Sequence, residues 1–95
     1  MAKYGIRVQL MGNPTAEEYE TLHAIMANYG FNRTVDGVDT AGKANTFTLP
    51  HGLYYGLNDG AINAVRDVIV ADVKSQVQQD IRVFVMDVNT WSYGW

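Results

Sequence analysis

The stretch KYGIRVQLMGNPTAEEYETLHAIMANYG, residues 3–30, decides the fold because it changes from a strand pattern to a helix pattern within a few residues. In its first part apolar residues alternate with polar ones, which is typical of a half-buried β-strand. Thr15 and Glu18 then have the spacing of a capping box, and the apolar residues after them recur at helical spacing. Gly30 suits the position that follows a helix. The stretch therefore predicts a strand followed by a helix.

A hairpin is predicted next. FNRTV at residues 31–35 and TFTL at residues 46–49 are short segments rich in β-formers, and a Gly- and Asp-rich connector separates them. Pro50 ends or bends the second segment, because proline cannot donate a hydrogen bond to a neighbouring strand. The sequence does not decide which face of the first segment is buried, because Arg33 falls on the same face as the apolar residues Phe31 and Val35.

The last third of the chain predicts a second helix and a closing strand. Residues 51–59 form a turn-rich passage, and Asn58 or Asp59 is expected to cap the helix. An apolar stripe at helical spacing then runs through residues 62–77, and DIRVFVMDV at residues 80–88 alternates as a strand.

The resulting order, β-α-β-β-α-β, is that of the ferredoxin-like split βαβ fold. We predict an α+β protein with an antiparallel four-stranded sheet, two helices on one face and the other face open. The strand at residues 46–49 would then be central, beside the first strand. The 95 residues are expected to form a single domain, residues 1–95.

Composition limits the chemistry. The chain has no cysteine, which excludes disulfides, thiolate catalysis and cysteine-based metal sites. The N-terminus does not resemble a signal peptide, and no segment has the roughly 18 consecutive apolar residues of a membrane helix. We therefore predict a cytoplasmic protein without a membrane partner. The net charge of −3 argues against a strongly basic nucleic-acid binder.

Two occupants are predicted for the open sheet face. It would present a mildly basic and partly apolar surface, because most acidic residues fall on the helices. In one interpretation Phe84 and Met86 form the centre of a homodimer interface. In the other, bases of single-stranded RNA stack on Phe84 while arginines hold phosphates. The residues that would carry this face are Lys3, Arg7, Gln9, Thr46, Thr48, Arg82, Phe84 and Met86.

The C-terminus NTWSYGW, residues 89–95, ends on aromatic residues spaced two apart. Aromatic side chains bury a large surface, so this segment is expected to pack against a partner surface. It either folds back on its own domain or forms a fifth strand that pairs with a second copy of the chain. In the second case Trp91, Tyr93 and Trp95 join the dimer interface.

His51 is the one candidate for a catalytic residue. A histidine in a loop at the end of a strand can act as a general acid or base near neutral pH, and the alternative is a solvated turn residue. His23 is expected to flank the apolar stripe of the first helix. No metal or cofactor motif is present, so no metal site and no cofactor are predicted.

The segments LHAIMANYGFNRTV at residues 22–35, NTFTLPHGLYY at residues 45–55 and DIRVFV at residues 80–85 resemble the GhoS family of small antitoxins. That family is similar in fold to the small CRISPR-associated integration subunit. The resemblance implies a ferredoxin-like fold and an antitoxin that cleaves a toxin's messenger RNA. The CRISPR relatives carry an aspartate for metal after their first strand. This chain has Met11, Gly12 and Asn13 there, so that site is not carried over.

The sequence thus predicts a small regulatory protein that binds RNA, or cleaves it as an antitoxin without a metal. Arg7, Arg33 and Arg82 are the predicted RNA contacts, chosen by charge and face. The alternative is a non-enzymatic dimeric module that binds a protein or a small ligand. An enzyme acting on a small molecule through His51 and its neighbouring tyrosines is a third hypothesis.

Overall fold

The computed structural model describes residues 2–38, 41–77 and 80–88, and it shows an α+β fold with two sheets. The elements in chain order are β1 (Ala2–Leu10), α1 (Ala16–Asn28), β2 (Phe31–Asn32), β3 (Thr34–Val38), β4 (Ala44–Thr48), β5 (Leu53–Asn58), α2 (Ile62–Gln76) and β6 (Ile81–Asp87). A four-stranded antiparallel sheet has the order β2-β5-β1-β6, and β3 and β4 form a separate two-stranded sheet, called here the ribbon.

The unit of β1 and α1 is confirmed. Along β1, Tyr4, Ile6 and Val8 are buried while Arg7 is exposed, as the alternation predicts. The Thr15 hydroxyl accepts a hydrogen bond from the backbone N–H of Glu18, whose carboxylate accepts one from the N–H of Thr15 in return. This capping box satisfies two of the N–H groups that have no partner inside the helix.

One hydrophobic core lies between the four-stranded sheet and both helices. It combines the inward residues of β1 with Phe31, Tyr54 and Ile81 from the other three strands. The helices contribute the buried residues Leu22, Ile25, Met26, Val65, Ile69 and Val73. Because these residues form one cluster, the helices cover one face of the sheet, and the opposite face is open.

The predicted strand partner of β1 was wrong. Residues 46–49 were expected beside β1, but β1 pairs with β5 at residues 53–58, which the sequence had suggested to be a turn-rich passage. The predicted hairpin does form, since Val35 of β3 lies opposite Phe47 of β4, but it forms the ribbon. Thr46 and Thr48 therefore do not belong to the open face.

Two local predictions also need correction. The segment FNRTV is divided between β2 and β3 at Arg33, so Phe31 and Val35 are both buried while Arg33 is exposed. The N-cap of α2 is Ala61, which provides no side-chain hydrogen bond. The Asn58 amide oxygen instead accepts a hydrogen bond from the N–H of Gly60 at 2.8 Å, so Asn58 shapes the turn before the helix.

Neither of the two described helices is long and apolar enough to cross a membrane. The predicted fifth strand, with Trp91, Tyr93 and Trp95, lies outside the described residues.

Candidate functional site

The open face is the first candidate site, and its composition follows from the registers of the four-stranded sheet. Residues opposite one another on neighbouring strands share a face, and alternate residues along each strand point the same way. The strand residues of the open face are Lys3, Gly5, Arg7, Gln9, Asn32, Leu53, Tyr55, Leu57, Arg82, Phe84 and Met86. None of these strand residues is acidic, and three are cationic.

Apolar and basic side chains alternate across this face. Arg7 lies between Leu53 on β5 and Phe84 on β6, while Gln9 lies opposite Arg82. Arg7 and Arg82 are therefore diagonal neighbours on adjacent strands, and Phe84 stands beside both. Cationic groups next to an exposed aromatic ring are the combination that contacts both the phosphates and the bases of a single strand.

Large apolar side chains on the open face are unusually exposed. The exposed fraction is 62% for Phe84, 48% for Leu57 and 37% for Met86. Gly5 lies between Tyr55 and Met86, and a Cβ at Gly5 would lie 3.4 Å from Met86 Cε. The end of Met86 thus lies over Gly5, and the middle of the face is shallow and apolar. A patch of this kind marks an interaction surface.

A cluster of aromatic and imidazole side chains forms the second candidate site, on the helix side. It consists of Tyr19 and His23 on α1, His51 in the turn before β5, and Tyr54 on β5, and is called here the histidine cluster. Tyr19 and His23 are four residues apart and so share one face of α1. Tyr54 lies opposite Ile6 in the sheet, so its side chain points toward the helices.

Contacts within the histidine cluster are close. His23 Nδ1 lies 2.6 Å from the Tyr54 hydroxyl, which makes a hydrogen bond whose direction depends on the imidazole tautomer. The His51 ring packs edge-on against Tyr19 with the ring centres 4.5 Å apart, and the centres of the two imidazoles are 6.5 Å apart. Two imidazoles are thus held near each other.

The environment shifts the pKa values of two groups in the histidine cluster, His23 and Tyr54. Burial lowers the pKa of His23 below its ordinary value of 6.5, and the positive charge of Arg33 lowers this pKa further. Burial also raises the pKa of Tyr54 to about 12, although Arg33 acts in the opposite direction. His23 is therefore neutral at pH 7 and able to accept a proton, and Tyr54 keeps its proton.

Gly52 lies between the two candidate sites, next to His51 in the chain and close to Arg7 in space. Its φ is +80°, and a Cβ there would lie 2.8 Å from the Val8 carbonyl oxygen and 3.2 Å from Arg7 Nε. The Gly52 carbonyl accepts a hydrogen bond from the N–H of Val8 at 2.8 Å. This close approach fixes the turn against β1, so His51 lies beside the end of the open face that carries Arg7.

The structure brings some of the predicted site residues together and separates others. Arg7, Arg82, Phe84 and Met86 share the open face. Arg33 lies away from them, between β2 and β3, where its charge acts on the histidine cluster. Trp91, Tyr93 and Trp95 lie outside the described residues.

Sequence reasoning did not place several contributors to the two sites. Tyr55 and Leu57 belong to the open face because residues 53–58 form a strand, and their alternation with inward residues was the available signal. His23 and Tyr54 meet across 31 residues of sequence, a proximity that no local pattern indicates. Among the described residues, no group of three or more histidine, cysteine or acidic side chains is placed to hold a metal ion.

In comparisons with known proteins, no protein-family model matches the chain, and no curated protein matches its sequence.

Proposed function

We propose that this protein binds single-stranded RNA on the open face of its four-stranded sheet. The observation that carries the proposal is the position of three cations, Lys3, Arg7 and Arg82, on one face with two aromatic residues. Phe84 is exposed and Tyr55 is half-buried, and no strand residue of that face is acidic. Aromatic rings stack on bases of any sequence, and cationic side chains neutralise phosphates. The net charge of −3 belongs mainly to the helix side, so it does not oppose binding at the sheet.

The fold proposed for this function is ferredoxin-like, with the ribbon inserted between its second and third strands. Support comes from the strand order β2-β5-β1-β6, which places β1 and β5 in the centre and the last strand beside the first. The short β2 and the extra ribbon are the departures from the simple pattern.

A salt titration tests the proposal. For single strands, the logarithm of affinity falls with the logarithm of salt concentration with a slope of about −0.7 per neutralised phosphate. Contacts from Lys3, Arg7 and Arg82 predict a slope of about −2, so raising salt from about 50 to about 200 mM should weaken binding about 20-fold. Fluorescence anisotropy with a labelled RNA of about ten nucleotides measures this directly.

Variants separate the open face from the rest of the molecule. Arg7→Gln should reduce the slope by about 0.7, and Phe84→Ala should weaken binding by about 1–3 kcal/mol through lost stacking. Arg66→Gln is the matched control for charge, because Arg66 lies on α2 and pairs with Asp67 at 3.0 Å. Equal losses in Arg7→Gln and Arg66→Gln would contradict binding at the open face.

The competing proposal is a homodimer that uses the open face as its interface. Such a dimeric module would bind its protein or small-molecule ligand on another surface. The exposure of Leu57, Phe84 and Met86 favours it. The charges oppose it, because a back-to-back dimer would cover Arg7 and Arg82, and the strand faces that meet carry no acid to pair with them. Light scattering decides: a stable dimer that Phe84→Glu dissociates would support the module instead of RNA binding.

Cleavage of the bound RNA is a second candidate function. The histidine cluster lies on the helix side, and an RNA strand that passes Arg7 would reach His51 around the turn at Gly52. One imidazole would take the proton of a 2′-hydroxyl, whose oxygen forms a bond to the adjacent phosphorus. The bond from phosphorus to the 5′-oxygen breaks, and the second imidazole returns a proton to that oxygen. The neutral state of His23 and the nearby charge of Arg33 suit these roles.

The cleavage proposal predicts products that form in the presence of a chelator and disappear when the RNA is replaced by a 2′-deoxy strand. His51→Gln should abolish cleavage while leaving anisotropy binding intact. If that variant cuts as fast as the original protein, the cluster is not a cleavage site. The role as an antitoxin, which the resemblance to the GhoS family implies, rests on this activity and would be tested with it.

A further inference from the structure

A groove lies where the ribbon meets the edge of the open face. Its volume is about 460 Å³. Tyr55, Leu57 and Lys3 of the four-stranded sheet form one side, and Thr34 and Asp36 of the ribbon form the other. We call it the ribbon groove; Asn32 of β2 also lines it.

The groove combines an aromatic ring with a carboxylate acceptor. Asn32 lies opposite Tyr55 in the sheet, so an amide stands beside the ring. Across the groove, Asp36 Oδ1 accepts a hydrogen bond from the Thr46 hydroxyl at 2.8 Å. A carboxylate has about four lone-pair sites, so this bond orients Asp36 and leaves it able to accept further hydrogen bonds.

Asp36 would repel the phosphates of a bound RNA strand. A ligand that contacts Asp36 should therefore donate hydrogen bonds to its carboxylate. Among the bases, only guanine presents two adjacent donors, its ring N1–H and its exocyclic amino group, on the edge that pairs with cytosine. A carboxylate accepts both at once, as it does from the two parallel donors of an arginine. The neighbouring O6 of guanine is an acceptor, which suits the Asn32 amide or the Lys3 ammonium group.

From these contacts we propose that the ribbon groove binds a guanine base of the RNA strand, with Asp36 as the residue that selects it and Tyr55 as the surface on which it stacks. This inference rests on the proposed RNA binding and adds base selectivity to it. The other bases leave the carboxylate with at most one donor from this edge. Asp36 is exposed in the free protein, and a stacked base would cover it. A covered carboxylate oxygen without a donor costs binding energy, so adenine and uracil are disfavoured at this position.

The test compares labelled uridine decamers that carry one guanosine, adenosine or inosine at the centre, because inosine lacks the exocyclic amino group. Guanosine should bind about tenfold or more tightly than adenosine, with inosine between them. Asp36→Asn should remove the preference while leaving the affinity for the all-uridine strand equal or higher. Asp67→Asn on α2 is the matched control and should keep the preference, since Asp67 lies on the helix side.

The outcomes separate the two proposals. If the strands bind with the predicted salt slope but without a preference for guanosine, the inference about the groove is wrong and RNA binding stands. A preference that survives in Asp36→Asn also overturns the role of Asp36. If no strand binds, the proposed function fails, and the groove inference fails with it.

Discussion

Replacement of Gly56 by alanine should strongly destabilise the protein, because the backbone of β2 occupies the space that a side chain would need. A Cβ at Gly56 would overlap the carbonyl oxygen of Gly30 and lie 2.8 Å from the Gly30 carbonyl carbon and 3.1 Å from Phe31 Cα. These are backbone atoms, so no rotamer change can relieve the clash. The β2 strand must move away from β5.

The loss of unfolding free energy can be worked from the contacts that β2 loses when it moves away from β5. The pairing of β2 with β5 includes Phe31 opposite Gly56 and Asn32 opposite Tyr55, and each lost hydrogen bond costs about 1 kcal/mol. Phe31 is fully buried in the core, and complete loss of such a side chain costs about 3–5 kcal/mol. Partial displacement together with the lost pairing gives about 3–5 kcal/mol. A chain of this length has a stability of about 5–14 kcal/mol, so the loss is a large fraction of it.

The matched control is Gly5→Ala on the neighbouring strand β1. A Cβ at Gly5 would meet only the ends of side chains, Val88 Cγ2 at 3.3 Å and Met86 Cε at 3.4 Å, which can move by a few tenths of an ångström. Its expected cost is below about 1 kcal/mol. Urea unfolding of both variants, followed by circular dichroism, measures the difference. Equal stability of the two variants would refute the close approach of β2 to β5.

Three further predictions concern the helix cap and the histidine cluster. Thr15→Ala should lower the free energy of unfolding by about 1 kcal/mol in urea denaturation, because it removes half of the capping box. The pKa of Tyr54 is raised from 10.0 to about 12, so the stability it supports is complete below pH 10 and is lost as the pH rises through 12. Urea titrations at pH 8 and pH 11 should therefore show a smaller alkaline loss in Tyr54→Phe; an identical loss would place the effect elsewhere. Because the pKa of His23 lies below 6.5, the unfolded chain takes up its proton first, and stability should decline as the pH falls below 6.5. His23→Gln should weaken this acid dependence, and an unchanged profile in urea titrations from pH 7.5 to pH 4.5 would argue against a buried neutral imidazole.

The elements that could be predicted from the sequence are those fixed by local patterns. β1 shows alternating apolar and polar residues, α1 has a capping box before an apolar stripe, and the stripe of α2 persists although many of its residues are β-branched. In each case neighbouring residues in the chain contain the whole signal. The two strands of the ribbon were also found, because a hairpin is a local structure.

Strand β5 was missed because its signal is not local. Gly52, Gly56 and Asn58 make the segment resemble a turn, but each has a structural reason that depends on distant residues. Gly52 approaches β1, and Gly56 approaches the backbone at Gly30. Asn58 shapes the turn before α2. A glycine within alternating residues can mark a close backbone approach in a strand as well as a turn, and only the pairing with β1 distinguishes the two.

The same error hid part of each candidate site. Without β5, Phe84 was the only aromatic residue expected on the open face. With β5 in the sheet, Tyr55 joins that face beside β1, and Tyr54 points to the other side and meets His23. Placing one strand thus changes the composition of both surfaces.

RNA and a second copy of the chain would compete for the same residues of the open face. The composition of that face, with β5 included, helps to decide between them. An apolar interface gains most when it excludes charge, yet Arg7 lies between Leu53 and Phe84, next to the apolar middle of the face. Two copies joined through this surface would desolvate like charges without a partner, at a cost of several kcal/mol. A phosphate backbone turns the same arginines into favourable contacts and leaves the rings free for bases. RNA should therefore shift any dimer formed through this face toward monomers, and sedimentation with increasing amounts of the labelled decamer would reveal that competition.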